Sequence, residues 1–139
     1  MIRKQFTLYL ENKPGSLAGV TSELAKHNVN IEGISVLTST DVGIVQLVTD
    51  SAVKTRRVLH DKHVAFTTQD VAVLALRNEP GALAEVAARL AKRGVNINYV
   101  YATACDCDKG CRVLAVISAP DLNAVEEAWP NAKDKKHKV

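Results

Sequence analysis

Asn12-Lys13-Pro14-Gly15-Ser16-Leu17 returns sixty-six positions downstream as Asn78-Glu79-Pro80-Gly81-Ala82-Leu83, and this pair of stretches decides the fold. Each copy follows an alternating apolar run and precedes apolar residues at helical spacing, so each sits between a strand and a helix. Proline fixes φ for the first bend, and glycine permits a backbone conformation that a Cβ would oppose. The helix that begins there has unpaired N–H groups at its first turn, which makes the junction a seat for an anion. One Asn-x-Pro-Gly alone signals only a turn. Here residues 12–37 and 78–103 are identical at twelve of twenty-six positions, including Val29-Asn30-Ile31 and Val95-Asn96-Ile97 beyond the helix. This is an internal duplication.

Outward from the turns, the same order of elements is expected twice. Phe6, Leu8 and Leu10 alternate along a strand over 4–11. Leu17, Val20 and Leu24 stripe a helix over 16–27, with Asn28 as its stop. A strand from Val29 to about Leu37, a loop over 38–41 and a strand over 42–49 follow. Asp50 or Ser51 caps a helix to about Asp61, and 63–68 forms a fourth strand. The second unit reads as strand 71–77, helix 82–93, a left-handed stop at Gly94, strands 95–103 and 112–118, and helix 121–129. No β-rich stretch follows Trp129, so this unit lacks its fourth strand. The fold class is α+β: two tandem ferredoxin-like βαββαβ units, each an antiparallel sheet with helices on one face. The units span 1–69 and 70–130, and a basic tail covers 131–139. Because only Gln69 and Asp70 separate 63–68 from 71–77, those strands either run on as one or fold back and pair. In the second case 63–68 supplies the missing strand.

Composition narrows the function. With 139 residues, 47% hydrophobic and 24% charged, the chain is an ordinary globular protein. No apolar run approaches the ~20 residues of a membrane span, and no apolar segment backs the basic start as a secretory signal would. A cytoplasmic protein without membrane association is expected. The net charge of +3 is spread along the chain apart from Lys133, Lys135, Lys136 and Lys138, so neither half is a polyanion-binding face. RNA-recognition domains share the fold but stack bases on aromatics of the central strands, which 44–48 and 113–116 lack; Tyr99 and Tyr101 share one face as sheet packing. Nucleic acid is therefore not the expected partner. His27, His60, His63 and His137 are scattered, and there is neither a nucleophile-elbow nor a phosphate-loop sequence. No catalysis is expected, and no cofactor is called for. Cys105, Cys107 and Cys111 crowd the second hairpin, where a metal or thiol sensor is a minor alternative; their spacing is not that of a structural zinc site.

Asn-x-Pro-Gly-x-Leu, a helix of about twelve residues and then Val-Asn-Ile, all within βαββαβ, resembles the ACT domain, the small-molecule-binding module appended to enzymes of amino-acid metabolism. The likeness covers residues 4–129 as two tandem copies, similar to stand-alone tandem-ACT proteins. It implies a non-catalytic, allosteric regulator that binds an amino acid, works as a homodimer and serves an enzyme of amino-acid metabolism. It also implies that Asn12, Asn30, Asn78 and Asn96 hold the effector. ACT domains of the phosphoglycerate dehydrogenase kind carry a histidine two residues before the turn Asn, where this chain has Leu10 and Leu76. That departure is expected to replace serine by an effector with an apolar side chain.

Helix length leads to a shared site independently. Twelve residues at ~1.5 Å each hold Asn12 and Asn30 roughly 18 Å apart, too far for one amino acid to touch both. Two units side by side in antiparallel sense bring Asn12 to an Asn96-type residue and Asn78 to an Asn30-type residue. A carboxylate then sits at Gly15-Ser16 or Gly81-Ala82, flanked by Lys13, Pro14 and Leu17 or by Glu79, Pro80 and Leu83. Asn side chains, with Ile31 or Ile97 beside them, take the ammonium or the second oxygen. The competing reading makes these asparagines simple turn and strand caps. A protein-interaction module with no small ligand, using sheet edges and apolar helix faces, is the other alternative.

Overall fold

The structure, a computed structural model, describes residues 1–103 and 112–129. Among these lie six strands and four helices: β1 (Ile2–Glu11), α1 (Ser16–Lys26), β2 (Ile31–Ser39), β3 (Val42–Thr49), α2 (Ala52–Asp61), β4 (Ala65–Arg77), α3 (Ala82–Lys92), β5 (Tyr99–Thr103), β6 (Arg112–Ser118) and α4 (Leu122–Ala128). The chain divides into two compact units. One is Lys4–Gln69, and the other joins the described residues from Asp70 onward with Met1–Arg3.

In the Lys4–Gln69 unit the strand order is β2-β3-β1-β4, antiparallel where β1 and β2 flank β3. Alternation does what the apolar pattern dictates. Phe6 faces Leu47 and Leu8 faces Val45, and all four side chains are buried under α1 and α2. From the helices come Val20 and Leu24, four residues apart on α1, and Val58 and Leu59 on α2. Each such side chain contributes roughly 1.5–3 kcal/mol by leaving water. Two polar groups inside match each other: the buried hydroxyls of Thr49 and Thr55 lie 2.7 Å apart, and Thr55 also donates to the Ser51 carbonyl. Ser51, rather than Asp50, caps α2 by accepting from the Lys54 N–H. Asn28 takes the left-handed conformation just past α1 (φ 53°), as expected, and His63 does the same past α2 (φ 54°). That second stop delays β4 to Ala65, so His63 is not part of the strand.

The other unit repeats the plan with its own solution for the fourth strand. Its order is β4-β6-β5, with Leu74 opposite Ala115 and Ala72 opposite Ile117 in a core closed by Val86, Leu90 and Val125. The stretches 63–68 and 71–77 do not fold back on one another; β4 runs from Ala65 to Arg77 without a break. The missing strand is instead supplied by Met1–Arg3, whose Met1 carbonyl accepts from the Val73 N–H at 2.8 Å. The Met1 ammonium donates to the Val73 carbonyl and pairs with Glu126 of α4 at 2.6 Å. This is why β1 starts at Ile2 and not at Lys4. Past Gly94 (φ 69°), Val95, Asn96 and Ile97 precede the strand rather than belonging to it; the Asn98 N–H ties the chain to Ser118, and β5 begins at Tyr99. The three cysteines lie outside the described residues.

Candidate functional site

Gly15 and Gly81, the residues before α1 and α3, share one conformation, φ 91° with ψ −17° and −13°. An L side chain is strained there. Gly15→Ala is expected to destabilise the protein by about 1–2 kcal/mol, read as a lower urea midpoint with unchanged slope. Neither helix has a side-chain cap: the Ser16 N–H bonds the Lys13 carbonyl at 3.3 Å and the Ala82 N–H bonds Glu79 likewise, and the next two N–H groups of each helix lie beyond these bonds. By contrast α2 and α4 are capped by Ser51 and Asp121. The helix termini left open are the two that follow Asn-x-Pro-Gly.

Around these termini the expected residues divide. Pro14 and Lys13 are exposed, and Leu17 and Leu83 keep 39% and 44% of their surface in solvent. Asn12 is engaged in structure: its N–H reaches the Asp41 carbonyl and its side-chain NH₂ the Thr40 carbonyl at 3.1 Å, binding the turn to the β2–β3 hairpin. Asn30 is held through its backbone, which exchanges two 3.0 Å bonds with Asp50, and its side chain is exposed. Asn96 donates to the Asn98 side chain at 3.3 Å, and Asn78 and Pro80 are exposed. Ile31 and Ile97 pack on their cores, and Ala82 is buried, so it offers a ligand backbone only. Within a unit, the eleven-residue α1 keeps Asn12 and Asn30 at opposite ends, about 16 Å apart. Leu10 and Leu76 lie toward the cores of their units. Leu76 is 2% exposed in its core and Leu10 packs on the other, so neither informs the choice of effector.

The turn at Gly15 opens onto a feature that periodicity did not foretell. Between α1 and α2 runs a groove of about 380 Å³, with Gly15, Ser16 and Gly19 along one side. Its floor is apolar, from Val20, Val58 and Leu59, and its far end is closed by Glu23 and Lys62. Those two pair at 3.2 Å, and Lys26 binds the other carboxylate oxygen at 2.8 Å.

The whole arrangement matches the ACT domain pair over residues 1–121. The chain belongs to the ACT domain pair family. A crystallised protein from Bacteroides thetaiotaomicron is 34% identical, with a TM-score of 0.82 over 92% of this chain and 86% of that one. The regulatory subunit of aspartate kinase from Thermus thermophilus, in a ligand-free form, shares the fold at 17% identity and a TM-score of 0.65 over 91% and 89% of the two chains. Its counterpart from Thermus flavus does so at 18% and 0.61, over 92% of each chain. No match is found among curated proteins. No helix among the described residues is long and apolar enough to cross a membrane, and no group of three or more metal-ligating side chains gathers among them.

The two ACT units differ where their sequences differ. At the first turn Lys13 pairs with Glu11 at 2.7 Å; at the second the signs are exchanged, with Glu79 paired to Arg77 at 2.8 Å. Lys13 thereby holds the Glu11 carboxyl below its usual range, first by hydrogen bonding and then by charge. Lys26 and then Lys62, through hydrogen bonds, lower the Glu23 carboxyl in the same way. A carboxyl lowered by folding stabilises the protein above its unfolded pKa near 4.5, and this is lost as pH falls through the folded value. Acidification from pH 6 to pH 3 is therefore expected to lower the Tm of the native protein more than that of Glu23→Gln, which lacks the titrating group. On β5, Tyr99 and Tyr101 stack at 6.4 Å with 16° between rings, and burial, then the neighbouring Tyr99, push the Tyr101 hydroxyl pKa upward. Both rings are half-buried, in keeping with sheet packing.

Proposed function

We propose that this ACT pair is a non-catalytic regulatory protein that binds a free amino acid at its Asn-x-Pro-Gly turns and passes the binding on to an enzyme of amino-acid metabolism. The observation that carries the reading is the pair of uncapped helix termini behind left-handed glycines, set against the self-capped α2 and α4. A carboxylate there accepts from the N–H groups of Leu17 and Ala18, or of Leu83 and Ala84, with the helix dipole behind them. Asn12 keeps its carbonyl oxygen for the ammonium while its NH₂ holds the hairpin.

One helix length separates the turn from Val-Asn-Ile, so the second half of the site, Asn30 or Asn96, comes from another ACT unit, which in this proposal belongs to a second copy. A homodimer follows. Support for a contact between copies lies in β2, an edge strand of its unit with Val36 and Leu37 46% and 58% exposed. A ligand held across such a contact couples binding to assembly, which is how a protein without chemistry of its own signals. The working location is the cytoplasm.

A thermal-shift screen of the twenty amino acids, followed by light scattering, tests this. One amino acid at a hundred times its Kd is expected to stabilise the protein by about 2.7 kcal/mol and to change the proportion of dimer. If every amino acid at saturation leaves both Tm and mass unchanged, the reading fails.

A further inference from the structure

The two ACT units share a turn but not the surface beside it. In the Lys4–Gln69 unit, the groove between α1 and α2 begins at the turn itself, at Gly15 and Ser16. Its volume of about 380 Å³ lies in the range of small-molecule sites. Gly19 lines its side. This glycine sits inside a helix where its φ requires no glycine, and a Cβ added there meets nothing within 4 Å. A glycine that costs helix stability and avoids no clash is explained by the space it leaves.

At the matching positions of the other unit stand Glu85 for Gly19 and Arg89 for Glu23. Glu85 and Arg89 pair at 2.6 Å, and the Arg89 guanidinium lies 4.7 Å from the ring of Trp129, which ends α4 as Lys62 ends α2. Arg89 is fixed further by donating to the Ala128 carbonyl. The position left without a side chain at Gly19 is thus filled in the other unit by Glu85, which pairs with Arg89. The turns differ as well, with Lys13 paired to Glu11 at the first and Glu79 paired to Arg77 at the second.

We propose that the two turns are not equivalent: the Lys4–Gln69 unit alone takes the effector, whose aliphatic side chain lies in the groove beside Gly19. This rests on the amino-acid-binding reading above. The class follows from the floor, since Val20, Val58 and Leu59 present no hydrogen-bonding side chain, while Glu23 and Lys62 at the far end already satisfy each other. A side chain of the valine, leucine, isoleucine or methionine kind gains from that floor and leaves the ion pair intact. A charged side chain would compete with that ion pair for its partners.

The test is calorimetric titration of the full chain with L-leucine, L-isoleucine, L-valine and L-methionine, and with L-serine, L-aspartate and L-lysine as contrasts. The variants are Gly19→Glu, which installs the other unit's residue, and Gly19→Ala, which keeps most of the groove. Both replace a helical glycine that has open space around it, so both are expected to fold. One equivalent of an aliphatic amino acid per chain, bound at least tenfold more weakly by Gly19→Glu and within threefold by Gly19→Ala, supports the proposal. Aliphatic binding untouched by Gly19→Glu, two equal sites per chain, or preference for a polar amino acid overturns it and leaves amino-acid binding at the turns standing. If no amino acid binds even the native chain and none raises its Tm, both readings fall together.

Discussion

Phe6→Ala is expected to remove about 3–5 kcal/mol of unfolding free energy, the range for a fully buried aromatic cut back to a methyl group. Phe6 has no exposed surface and sits at the centre of the Lys4–Gln69 core. Its ring lies 5.8 Å from that of Phe66, and the Arg56 guanidinium is 5.8 Å from one ring and 5.9 Å from the other. The ring–ring contact adds roughly 0.5–1.5 kcal/mol to area burial and the cation about 0.5–1 kcal/mol, so the upper part of the range is expected. Domains of this size are stable by about 5–15 kcal/mol, so one substitution removes about a fifth or more. Urea unfolding followed by circular dichroism reads the loss. Val53→Ala, at a side chain 74% exposed, is the control and is expected to stay within about 0.5 kcal/mol of the native protein.

Leu74→Ala is the corresponding expectation for the other unit, at about 2–5 kcal/mol. The register decides where in that range it falls. Leu74 stands opposite Ala115, so the substitution sets two methyl groups face to face with no bulky cross-strand neighbour to move into the space. Cost rises with the cavity that remains, and a site that cannot collapse belongs at the high end. The same unfolding measurement checks it, and a loss below about 1.5 kcal/mol would show that α3 closes onto the sheet.

Most of this architecture was legible from local rules. Alternation at Phe6, Leu8 and Leu10, helical spacing at Val20 and Leu24, and the stops at Asn28 and Gly94 each express a short-range preference, and the duplication checked one unit against the other. What local rules did not reach was the destination of chain segments. Residues 1–3 carry no pattern of their own, and only the pairing of Met1 with Val73 of β4 shows that Met1–Arg3 serve as a strand there. Likewise Leu10 and Leu76 read as wall or core depending on which face of the strand looks outward, and the structure puts both against cores.

For the candidate site, the turns and their open N–H groups were visible in Pro14-Gly15 and Pro80-Gly81, because a left-handed glycine before a helix is a backbone requirement. The groove was not, since it depends on two helices lying side by side. A signal for it nevertheless existed. Gly19 against Glu85, Glu23 against Arg89 and Lys13 against Glu79 are positions at which the duplicated units part.

The most direct measurement is a ¹H–¹⁵N amide spectrum of the full chain titrated with each amino acid in turn. A carboxylate seated on the start of α1 pulls on the N–H groups of Leu17 and Ala18, so these two resonances are expected to move and saturate together with one amino acid. If an amino acid binds and leaves Leu17 and Ala18 in place, or if none moves them at millimolar concentration, the Asn-x-Pro-Gly turn is a structural bend and the proposed site is wrong.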